Sequence, residues 1–162
     1  MSQPRALVED PPAASRPSAG GEAPRAVTVR GELVCLAEEM RDRHGVQIPP
    51  VHDHLRGIRT EDGAFLVLIR NSTSAALFSD ARFQGRKLVL TGRIFPRSSL
   101  LEVARTDWIK DGKVFSVYYW CEVCSIQTVD PGPCACCQAA VELREKPAGG
   151  GPPVMVPELK KS

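Results

Sequence analysis

Residues 64–106, AFLVLIRNSTSAALFSDARFQGRKLVLTGRIFPRSSLLEVART, hold a strand, a short helix and two further strands in succession. Apolar side chains fill residues 64–69 of a run that ends at Arg70, as in a half-buried or buried strand. Residues 72–80 follow Asn71, and their hydroxyl-rich start before Ala75, Ala76, Leu77 and Phe78 suits a short capped helix that ends before Gly85. Residues 87–95 and 100–106 are strands flanking Pro96-Arg97-Ser98-Ser99, a hairpin loop. Leu88, Leu90 and Ile94 share one parity while Lys87, Thr91 and Arg93 share the other, so the first set is expected to face a core opposite Leu101 and Val103. Gly92 stands mid-strand, where a bend is expected.

Upstream, residues 55–60 (LRGIRT) and the strand at 64–70 flank Glu61-Asp62-Gly63, a hairpin turn. Residues 27–36 (VTVRGELVCL) place Val27, Val29, Leu33 and Cys35 on one parity and predict a first strand, with Gly31 as a bulge or bend. The connection between these strands is polar and contains Pro49 and Pro50. Downstream, Asp111-Gly112 predicts a turn into a sixth strand at 114–120 (VFSVYYW), which runs directly into Cys121. The order of three strands, a helix and two strands over residues 27–109, with a glycine in the first strand, resembles the OB-fold, a five-stranded Greek-key barrel.

Five of the six cysteines fall between Cys121 and Cys137. Cys121 and Cys124 form one C-x2-C pair, Cys134 and Cys137 a second, and nine residues containing Asp130-Pro131-Gly132-Pro133 separate them. Each such pair presents two thiolates from one tight turn, and four thiolates at about 2.3 Å from one centre make a tetrahedral zinc site. The spacing resembles zinc ribbons and rubredoxin-like knuckles, which implies one structural Zn2+ held by Cys121, Cys124, Cys134 and Cys137. Such a metal would supply folding free energy on the order of 10 kcal/mol to a module without a core of its own. Thiolate donors alone do not separate zinc from iron. Cys136 lies between two presumed ligands and is an alternative to Cys134 or Cys137 at the metal. Disulfides and a redox-active thiol pair are the rival readings, and the apparent lack of a secretory signal argues against the former.

The expected fold class is therefore mainly β, an OB-like five-stranded Greek-key barrel with one short helix plus a small zinc ribbon. Residues 1–26 are rich in Pro, Ala, Ser and Gly and are expected to form a disordered arm, with the barrel over 27–113 and the ribbon over 114–146. Residues 147–162, with three consecutive glycines, predict a flexible tail. No stretch approaches the roughly 18–20 apolar residues of a membrane span, so no membrane partner is expected and a cytoplasmic location is.

Charge decides little: 21 basic residues face 19 acidic ones, for a formal +2. From residue 27 to residue 120 there are 14 bases and 11 acids, a mildly positive balance. The OB resemblance implies ligand binding on the face of the second and third strands, aided by adjoining loops. The matching residues are Arg56, Arg59, Phe65, Arg70 and Arg97. Tyr118, Tyr119 and Trp120 are expected to form an apolar lid beside the ribbon, with base stacking as the alternative. His44, His52 and His54 occupy the first connection, and His52-Asp53-His54 with Cys35 is a candidate second metal group. The competing reading makes the histidines solvated and Cys35 a small buried hydrophobe.

No nucleophilic triad, phosphate loop or paired-carboxylate signature appears, so catalysis is not expected. The expectation is a non-catalytic zinc-binding module for single-stranded nucleic acid or for a protein partner in a nucleic-acid complex. A metal-handling or thiol-redox protein and a structural assembly subunit are the alternatives.

Overall fold

A glycine sets the course of the first strand. β1 (Arg25–Cys35) pairs with β4 (Lys87–Ile94) through residue 32 and with β2 (Arg56–Thr60) from residue 31 onward. The exchange falls at Gly31, where a Cβ would lie 2.2 Å from the carbonyl oxygen of Arg59. Only a residue without a side chain lets the two backbones approach so closely. This computed structural model describes residues 22–49 and 54–159. Most of the expected N-terminal arm, residues 1–21, lies outside them, and β1 begins two residues before the predicted start.

β2 and β3 (Phe65–Ile69) form the predicted hairpin, turning at Gly63 with φ of 86°. β5 (Leu100–Lys110) runs antiparallel to β4 and parallel to β3. The pairings therefore close a ring, β1–β2–β3–β5–β4 and back to β1. At Gly92 the β4–β5 register shifts, and a Cβ there would meet the Glu102 carbonyl oxygen at 2.0 Å. Glycine is again what the bend requires. Leu88, Leu90, Leu101 and Val103 are buried as their parity predicts.

The predicted helix does lie between β3 and β4, but the described residues hold a further α-helix that the sequence did not lead us to expect. α1 (Leu36–His44) follows β1 directly, in the stretch anticipated as a polar connection. None of its residues is buried, so it has almost no apolar periodicity to betray it. Its support is electrostatic: Glu38 and Glu39 in the first turn, Arg41, Arg43 and His44 in the last, and Gly45 closing it at φ of 64°. The expected helix is α2 (Ala75–Ser79), shorter than predicted and followed by a 3₁₀ turn, Ala81–Phe83. Ser74 does not cap α2 through its side chain; it exchanges hydrogen bonds with Asn71 and donates to the Ile69 carbonyl at 2.8 Å.

β5 overruns its predicted end and turns at Asp111-Gly112, both at positive φ, into β6 (Lys113–Cys121). One edge of β6 meets β5 and then β7 (Ile126–Thr128); the other meets β8 (Glu142–Pro147). Within the span expected as a tail, β9 (Val154–Met155) pairs with β8, and Val156 is buried. The ring core, with Leu77, Phe83 and Trp108, is continuous with Tyr119, Leu143 and Val156. Asp80, beside α2, cements this junction by accepting the Tyr119 hydroxyl at 2.6 Å and Arg82 Nη2 at 2.7 Å. Among the described residues, no helix is long and apolar enough to cross a membrane.

Candidate metal centre

β6 carries Cys121 at its last residue, so a strand tied on both edges fixes this sulfur. The chain then turns through residues 122–125, reversing at Ser125 with φ of 53°, and β7 returns alongside β6. That reversal holds Cys124 beside Cys121. The Asp130 side chain braces the connecting loop by accepting the Gly132 amide at 2.8 Å. The second turn is closed by Gln138 N–H donating to the Cys134 carbonyl at 2.8 Å, with Gln138 at φ of 60°, and by Cys134 N–H donating to Ala139 at 2.9 Å.

The four sulfurs of Cys121, Cys124, Cys134 and Cys137 all lie within 4.8 Å of one another, and those of Cys121 and Cys137 are 3.4 Å apart. Four bonds of about 2.3 Å in a tetrahedron require sulfurs about 3.8 Å apart, so the cluster can hold a metal ion with little adjustment. No cysteine is in a disulfide. Cys121 and Cys134 are buried, 0 % and 2 % exposed, while Cys136 is exposed, with its thiol still within reach of Cys124. The mutually close group of four thus includes Cys137 and not Cys136.

The backbone prepares the cluster for a cation. Amide N–H groups of Cys137 and Cys136 are directed at the Cys134 sulfur and lower its thiol pKa to about 7. Hydrogen bonds to an ionised sulfur favour the form a metal needs. Cys124 is pushed the other way, chiefly by sharing protons with the Cys137 and Cys136 thiols and then by burial. At Cys121 the Cys124 amide favours the thiolate, but burial and the Cys137 and Cys134 thiols outweigh it and the pKa rises. Crowded thiols that resist ionising together release that tension when a divalent ion replaces their protons.

The aromatic residues before the cluster divide their roles. Tyr119 belongs to the core, and Trp120 donates to Glu122 at 2.9 Å beneath the Arg144 guanidinium. The five residues proposed for ligand binding are largely engaged within the protein. Arg56 donates to Gln84 at 2.9 Å; Arg59 is held by Glu32 at 2.7 Å and Glu39 at 2.9 Å; Arg70 covers Phe78. Phe65, the cross-strand partner of Arg59, lies under Arg43. Arg97, at φ of 53° in the β4–β5 loop, lines a cavity of about 560 Å³ with Arg25, Phe95, Ser98 and Glu22. Arg25 was missed because it falls in the stretch assigned to the arm.

Cys35 is buried, as a small hydrophobe would be, yet His54 Nδ1 stands 3.3 Å from its sulfur. His52 and Asp53 lie outside the described residues, and His44 ends α1. No family model, curated protein or solved structure matches the chain.

Proposed function

We propose that the chain is a non-catalytic zinc-binding module built on an OB-type barrel, and that it binds single-stranded nucleic acid. The observation that carries the zinc reading is the convergence of four sulfurs from two backbone-braced turns, which matches a closed tetrahedral thiolate site. Such a site leaves no open position for chemistry at the metal. The barrel reading draws on the ring order β1–β2–β3–β5–β4 with β3 and β5 parallel and α2 between β3 and β4, the arrangement of an OB barrel.

For the nucleic acid, the support lies in the β4–β5 loop rather than in β2, because the ion pairs of Arg59 offset its charge. Arg25 and Arg97 beside Phe95 provide charge for phosphates and a ring for a base. With these two arginines as phosphate contacts, affinity for a short single-stranded oligonucleotide should fall with added salt with a logarithmic slope of about −1.4. Arg97→Ala should flatten that slope by about 0.7. Absence of binding at low salt by the zinc-loaded protein would remove the nucleic-acid half of the proposal and leave the zinc half standing. A protein partner is the second reading, favoured by Val123, Ile126 and Val129, which are apolar and exposed around the first knuckle.

A further inference from the structure

The geometry points to a second divalent-metal site, formed by Cys35, Glu38 and His54 and separate from the four-cysteine cluster. The sulfur of Cys35, a carboxylate oxygen of Glu38 and a ring nitrogen of His54 all lie within 4.8 Å of one another. Three separate pieces of backbone bring them there. Cys35 ends β1 and is the N-cap of α1, where its side chain makes no capping bond. Glu38 is three residues further on, so the first turn of the helix places it over the N-cap. His54 belongs to the approach to β2, which is pinned twice: Cys35 is the register partner of Arg56, and Leu36 N–H donates to the Leu55 carbonyl at 2.9 Å.

The distances suit a metal. His54 Nδ1 is 3.3 Å from Cys35 Sγ and 3.9 Å from Glu38 Oε1. Around a tetrahedral zinc with bonds of about 2.3 Å to sulfur and about 2.0–2.2 Å to nitrogen and oxygen, those separations are about 3.6 Å and about 3.4 Å. Each observed value lies within about half an ångström of its target, a shift that rotation of a half-exposed Glu38 or His54 side chain supplies (43 % and 48 % exposed). One thiolate, one imidazole and one carboxylate form a borderline donor set that favours Zn2+ over harder ions such as Mg2+ or Ca2+. Among the described residues three protein donors converge here, and tetrahedral zinc takes a fourth. The sequence draws attention to Cys35 and His54; the helix that delivers Glu38 is what completes the trio.

The test is native mass spectrometry of the full-length protein titrated with Zn2+, paired with absorption spectra of the Co2+-loaded protein. The wild type should take up two equivalents, the second with a weaker thiolate-to-cobalt charge-transfer band than the first. His54→Ala and Glu38→Gln, both at half-exposed positions, should bind one equivalent and keep the four-thiolate spectrum; Cys35→Ser should do the same if it folds. Cys124→Ser should instead lose the first equivalent and keep the second, so failure of either site is read independently of the other. A wild type that saturates at one equivalent in excess Zn2+, or a His54→Ala protein that still binds two, would overturn the assignment.

Discussion

Replacing Tyr119 by Phe removes one oxygen from the seam between the ring and the cysteine-bearing strands, and the structure sets the cost. The ring of Tyr119 is 2 % exposed and packs with Leu143 and Val156, all of which Phe preserves. Its hydroxyl donates to Asp80 Oδ2 at 2.6 Å. A hydrogen bond to a charged acceptor is worth about 1.5–3 kcal/mol. Asp80 keeps the Arg82 guanidinium and the Arg82 amide, so no buried charge is stranded, and the lower part of that range applies, about 1.5–2 kcal/mol. For a chain of this size that is a fall in Tm of about 3–8 °C. Asp80→Asn, which strips Arg82 of its counter-charge, should cost more, about 3 kcal/mol.

The dependence on pH is a sharper check. Burial opposes ionisation of Asp80, but hydrogen bonds from Arg82 and Tyr119 prevail and hold its carboxyl below the ordinary range. Its contribution is present above the unfolded value of about 3.9 and is lost as pH falls through the folded one. Burial first, and then the Asp80 carboxylate, push the Tyr119 phenol well above its ordinary value. That contribution is complete below about pH 10 and is lost as pH rises beyond it. The gap in melting temperature between wild type and Tyr119→Phe should therefore be level from about pH 5 to about pH 9 and narrow on both sides. Melting curves of the metal-loaded proteins measure it. A gap under about 1 °C at neutral pH, or one that persists unchanged above about pH 11, would refute the account of the seam.

Two further outcomes bear on the metal centre. Cys137→Ser should abolish stoichiometric Zn2+ retention while Cys136→Ser leaves it intact, as read by metal content after desalting, because only the Cys137 sulfur joins the group of four. Protons released per Zn2+ bound should fall by about one between about pH 6 and about pH 8, as followed in a pH-indicator titration. Cys134, lowered to about 7, is already ionised at the upper end, whereas Cys121 and Cys124, both raised, still surrender theirs.

What the sequence disclosed and what it withheld follow from how local each signal is. The two C-x2-C pairs, the glycines at 31 and 92 and the alternation of Leu88 and Leu90 are written within a few residues, and each appears where its pattern predicts. α1 was illegible because it buries no residue and stands on charge placement alone. β8 was illegible for another reason. Its inward positions are Leu143 and Glu145, and a glutamate breaks an apolar alternation. Glu145 is 5 % exposed only because Trp108 Nε1 and Lys110 Nζ reach it at 2.8 Å and 2.7 Å from β5. Those partners lie more than thirty residues upstream, and no window of sequence contains both halves of the pair. The parallel pairing of β3 with β5, which closes the ring, is likewise a long-range fact.

The buried glutamate and the buried tyrosine together explain why the cysteine cluster is held so firmly to the ring. A zinc ribbon with no core of its own depends on its metal for shape. Here β6 and β8 reach into the ring core through Tyr119 and Leu143, and polar anchors at Asp80 and Glu145 fix their register against it. A partly polar junction is more selective than an apolar one, because sliding β8 by one residue would place Glu145 on the wrong face and leave Trp108 Nε1 without an acceptor. The position of Cys121, one residue beyond Trp120 and two beyond Tyr119, is thus set by the ring. The first knuckle is in that sense anchored to the ring, while the second hangs on the loop at Asp130-Pro131-Gly132-Pro133, which Asp130 braces.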